Sequence, residues 1–74
     1  MTVSDAIFVR VEDWEGLYID GQLFDQNSMI DLPWALDGKT VSFKFRRGTD
    51  AEDQYIMDEG GFPSTYQELL DLDK

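Results

Sequence analysis

Residues 6–12, AIFVRVE, alternate between two sides of an extended chain. Ile7, Val9 and Val11 fall on one side; Phe8, Arg10 and Glu12 fall on the other. A period of two with β-branched side chains predicts a strand. DWEG at 13–16 reads as a turn. Next, Asp20-Gly21 separates the apolar triplets LYI and QLF. An Asp-Gly pair in that place calls for a two-residue type I′ hairpin, because both central residues need positive φ. A regular register then sets Tyr18 opposite Leu23 and Leu17 opposite Phe24. The polar run DQNS at 25–28 ends the second arm.

Further along, Asp31 is suited to cap a short helix. Pro33 is tolerated in its first turn and Gly38 closes it, which keeps Trp34 near the hairpin. VSFKFR at 41–46 alternates again. Val41, Phe43 and Phe45 are expected in the core, with Ser42, Lys44 and Arg46 in water. Thr49-x-x-Glu52 is a capping box, with Asp50, Glu52 and Asp53 in a first turn where the helix dipole favours anions. Gly60 and Gly61 end that helix. Ser64-x-x-Gln67 reads as a second box ahead of Tyr66, Leu69 and Leu70. The pattern predicts a small α+β fold: a mostly antiparallel sheet with an Asp-Gly hairpin, packed by short helices. Phe43, Phe45, Val9 and Val11 are its expected core.

Length makes this a single compact domain over residues 1–74. A core of that size supplies only ~3–5 kcal/mol of surplus stability. The chain has no Cys and no His, so disulfides and imidazole or thiolate zinc sites are excluded. Two Trp, three Tyr and five Phe offer an aromatic core instead. Association into a small homo-oligomer is the other route, and a monomer is equally compatible. The aromatics of residues 14–36 serve as lid and wall of that core, or else Trp14 or Trp34 stays partly exposed at a binding surface.

Net charge is −10, from 16 acids and 6 bases. That disfavours direct contact with nucleic acid or an anionic membrane and favours basic surfaces. Residues 1–5 read as no secretory leader, and the longest apolar run is far below a membrane span. The expectation is a cytoplasmic protein.

WEGLYIDG at 14–21, the segment Gln26, Asn27, Ser28, Met29, Ile30 and the turn Gly61-Phe62-Pro63 together resemble small phage-encoded or prophage-encoded proteins of unassigned function. Those carry a WEGLYVDG-type hairpin and a GxFP turn before a short apolar tail. The basic strand KFRRG is not part of that pattern. The resemblance implies a phage origin, a location in the cytoplasm of a bacterial host cell, and no catalytic residue.

Catalysis needs an acid, base or nucleophile held near its working pKa. With no His or Cys, and only Lys39, Lys44 and Lys74 as amine bases, the residues point away from an enzyme. No Gly-rich phosphate loop and no calcium-loop pattern is present, so no cofactor or metal is expected. The charge is unevenly spread. Residues 49–74 hold eight acids and one base, a net of −7, against −3 for residues 1–48. Lys44, Arg46 and Arg47 cluster on one strand.

Two readings follow. In the first, an acidic C-terminal face imitates the phosphate row of DNA. It binds and inhibits a basic, nucleic-acid-binding host protein through Asp50, Glu52, Asp53, Asp58 and Glu59, with Met57 or Phe62 as apolar anchor. In that reading Ala51 and Tyr55 turn to the core, and Asp50, Glu52, Asp53 and Glu59 form an ordered row in water. In the second, an oligomer holds a small anion or nucleotide with Lys44, Arg46 and Arg47. Beside these stand plainer explanations: the acids keep a small protein soluble, and the three cations pair with neighbouring acids.

Overall fold

A computed structural model describes residues 3–73. They form β1 (Ser4–Arg10), β2 (Glu15–Ile19), β3 (Gln22–Asn27), α1 (Leu32–Ala35), β4 (Val41–Arg47), α2 (Asp50–Glu59) and α3 (Tyr66–Asp71). The sheet order is β3-β2-β1-β4. β1 pairs antiparallel with β2, and β2 antiparallel with β3, while β1 and β4 run parallel. The fold is α+β with a mostly antiparallel sheet. Among the described residues no helix is long and apolar enough to cross a membrane.

The hairpin turns at Asp20 (φ 52°) and Gly21 (φ 82°), the positive φ pair of a type I′ turn. Tyr18 lies opposite Leu23 as expected, but Leu17 lies opposite Asp25, not Phe24. A bulge at Phe24 causes the shift. One extra residue reverses the side on which every later side chain emerges. Gln26 thereby comes opposite Gly16, on the face of Tyr18.

That face, the helix face, is covered by α2, α3 and the segment between them. Val9, Val11, Tyr18, Ile56, Phe62 and Leu69 form its core. The Tyr18 hydroxyl donates to the Pro63 carbonyl at 2.7 Å. The opposite face is covered by α1 and the chain leading to it. There Ala6, Phe8, Leu17, Ile30 and Ala35 pack together. Buried Glu15 anchors the approach to α1, accepting the Ile30 N–H at 2.8 Å.

The expected common core of Val9, Val11, Phe43 and Phe45 is split by the register. Phe43 pairs with Ala6 and Phe45 with Phe8, so both phenylalanines lie on the α1 face. Val9 and Val11 point to the helix face. β1 is central and buried on both sides, which is why Phe8, on the side opposite Val9 and Val11, is buried as well. α1 is a single turn long and does not reach β4 with full cover. Phe43 stays 43% exposed and Phe45 56% exposed. Trp34 is 73% exposed. In so short a helix the inward side is taken by Ala35, Leu32 and Leu36.

Asp31 caps α1, accepting the Trp34 N–H. Thr49 and Glu52 form the full capping box of α2, and Gly60 (φ 80°) ends it. The α3 cap is Thr65, whose hydroxyl accepts the Glu68 N–H, one residue beyond the expected Ser64–Gln67 box. Ser64 is engaged instead as a backbone partner of the hairpin: its carbonyl accepts the Leu23 N–H, and the Tyr66 N–H donates to the Gly21 carbonyl.

Candidate partner-binding surface

α2 turns Glu52 and Ile56 inward, four residues apart and so on one face. Ala51 and Tyr55, the expected inward pair, are half-buried at its flank. Glu52 is 1% exposed. It is removed from the expected acidic row because it lies over Arg46 of β4. Both its oxygens accept from the Arg46 guanidinium at 2.8 Å, a bidentate pair. The Arg46 Nε–H donates to the Tyr66 hydroxyl at 2.8 Å. The Glu52 bond, opposed by burial, holds the guanidinium well above its ordinary range. The neutral form of Tyr18 nearby is favoured first by burial and then by the charges of Glu52 and Glu68, which raise its pKa well above that of a free phenol.

This pair dissolves the expected anion site. Strand alternation sets Lys44 and Arg46 on the helix face and Arg47 on the other, and Arg46 is already satisfied. The three cations do not converge. Phe62, expected as an exposed anchor, is buried: its ring lies on Gly16, where a Cβ would come within 2.8 Å of it. It also meets the Tyr18 ring edge-on at 6.2 Å.

Asp50, Asp58 and Glu59 are exposed, Asp53 is half-buried and Met57 is 71% exposed. They do not make one stripe. Glu59 is about two and a half turns from Asp50 at ~3.6 residues per turn and emerges on the other side of the helix. Asp53 and Met57, one turn apart, do share a face. Lys74, the base of the C-terminal third, lies outside the described residues.

Asp53 and Met57 face a groove of about 330 Å³ between α2 and the 11–14 turn. Val11 and Ile56 form its floor; Trp14 and Met57 are its walls. Glu12 and Asp13 stand with Asp53 at its rim, and no cation lines it. The turn is closed by the Val11 N–H donating to the Trp14 carbonyl at 2.9 Å. The indole Nε1–H donates to the Gln26 side-chain oxygen at 3.1 Å, which also accepts the Phe62 N–H at 2.8 Å. Trp14 is thus a fixed wall, set by the bulge that delivers Gln26 to this face. Comparison with protein-family models, curated proteins and solved structures finds no match to this chain. Among the described residues no group of three or more Asp or Glu side chains is placed to hold a metal ion.

Pattern reading named Asp53, Met57 and Trp14 but missed Glu12 and Asp13. The signal was local: two adjacent acids immediately before a tryptophan, in a turn that presents all three together.

Proposed function

We propose that the protein acts by binding, not catalysis, and that the groove beside α2 receives a lysine or arginine side chain of a basic protein. The apolar groove with a carboxylate rim carries this reading. A lysine or arginine has an apolar stem that packs on Val11, Ile56 and Met57 and a charged head that remains among acids. The indole face of Trp14 adds attraction for the cation. Asp50, Asp58 and Glu59 then extend the acidic field along the approach and speed association with a basic surface. The resemblance to small phage-encoded proteins supports a partner in a bacterial host, and occupation of a nucleic-acid-binding groove would make the protein an inhibitor. Titration of isotope-labelled protein with an arginine-rich peptide tests the site. The expected result is chemical-shift change concentrated at the Trp14 indole N–H and the Met57 methyl, fading at high salt. Shift changes spread evenly over all exposed acids would contradict it.

A further inference from the structure

The sheet has two edges, and they are finished differently. The outer edge of β3 is bridged near the hairpin by the segment leading into α3, through Gln22 paired with Thr65 and the backbone bonds of Leu23 and Tyr66. No strand among the described residues pairs with the outer edge of β4. An open edge is a ready template for a further strand, and proteins usually guard it. Here Lys44 is such a guard, a charge that discourages unselected strands, while Phe43 and Phe45 lie on the opposite side, with Phe45 stacked on Phe8 at 5.5 Å. Beside Phe43, an open depression of about 500 Å³ lies against α1.

The charges there also differ from the rest of the molecule. Arg10 pairs with Glu15, Arg46 with Glu52, and Lys39 lies over the Phe24 ring. Among the described residues neither Lys44 nor Arg47 has an ion-pair partner. In a chain of net charge −10 the two cations left over among the described residues both sit on the open edge strand.

We infer that the β4 edge takes up an extended segment of another protein, one that alternates apolar and acidic residues, as an added strand. Register sets the specificity. Side chains of the added strand that emerge beside Phe43 and Phe45 meet aromatic rings and must be apolar. The intervening ones emerge beside Lys44 on the helix face and are favoured as acids. Arg47 selects a further acid at the end of the strand. Asp37, which lines the far side of the depression, keeps acids out of it and leaves it to an apolar side chain. A second copy of the chain fits less well, because it would bring Lys44 and Arg47 to the seam twice with no acid to meet them. Phe43, Phe45 and Lys44 are separate from the groove beside α2, whereas Arg47 lines a depression with Glu12 and Asp53 of that groove's rim, so Lys44→Glu alone must also weaken binding here.

The probes are a short peptide alternating valine and glutamate, with one further glutamate in place of the valine that would fall beside Arg47, and its valine–lysine counterpart. The glutamate peptide is expected to bind and to slow hydrogen exchange of β4 amides, while the lysine peptide does not. Replacing both cations (Lys44→Glu with Arg47→Glu) should weaken the glutamate peptide by about tenfold, the effect of two exposed pairs. Both side chains are exposed, and a circular dichroism spectrum unchanged by the replacements confirms the fold. The inference is overturned if neither peptide protects β4, or if the double replacement leaves affinity unchanged. It is overturned equally if sedimentation shows the unliganded protein to be a dimer whose β4 amides are already protected.

Discussion

The two faces of the sheet solve the same problem with different materials. Behind α2 and α3 the cover is broader, and it includes a bidentate ion pair, Glu52 with Arg46, whose polar atoms are satisfied. Behind α1 the cover is apolar apart from Glu15, which holds the Ile30 N–H and pairs loosely with Arg10 at 3.6 Å, and it stops short, leaving Phe43 and Phe45 half in water. The difference shows that apolar character alone does not locate the core of so small a chain. What decides is which element arrives overhead, and a ten-residue helix shields more than a four-residue one.

The largest effect is expected where the face under α2 and α3 is broken. Glu52→Ala leaves the Arg46 guanidinium partly buried without its acid and removes half of the α2 capping box. Losing one partner of a buried pair costs ~3–5 kcal/mol, which urea denaturation would register as near-complete loss of stability. Phe45→Ala on the incomplete face should cost no more than ~1–2 kcal/mol, since over half the ring is already solvated. Equal costs for the two variants would erase the contrast between the faces.

Between these lies Gly16→Ala. The added methyl would come within 2.8 Å of the buried Phe62 ring. Overpacking of this kind costs ~1–3 kcal/mol, read as a lowered thermal midpoint. A smaller effect concerns Tyr18. Its folded-state pKa is raised, so the folded protein holds a proton that the unfolded chain releases near pH ~10. The associated stability is complete below that pH and declines as pH rises through and beyond it. Denaturation series at increasing alkalinity should show the decline, and Tyr18→Phe should flatten it. A slope unchanged in the variant would assign the decline to other groups.

The local features of the fold were legible in the sequence because their causes are local. Asp20-Gly21 fixes its own turn, Thr49 and Glu52 cap their own helix, and Asp31 caps the next. What escaped was set by partners distant along the chain. The bulge at Phe24 answers to Gln26, whose bonds reach Trp14 and Phe62. Placement of Phe43 and Phe45 depends on β4 lying parallel to β1, which alternation within either strand does not encode. Glu52 carried every mark of a solvated helix acid; only Arg46 beneath it, six residues earlier in another element, draws it inward. Of the candidate surface, the acids of α2 were readable one by one. Their gathering with Glu12, Asp13 and Trp14 was not, since it requires the 11–14 turn to meet α2 in space.

The proposed binding resides in the groove and not in acidity at large. Two double variants with the same change of charge separate these. One is Asp13→Lys with Asp53→Lys at the groove rim; the other is Asp58→Lys with Glu59→Lys at the exposed end of α2. Affinity for an arginine-rich peptide, measured by calorimetry at low salt on variants with unchanged circular dichroism, decides the matter. The rim pair is expected to abolish binding, while the distal pair weakens it only by the ~0.2–1 kcal/mol per charge typical of exposed sites. Equal loss in the two variants would contradict it.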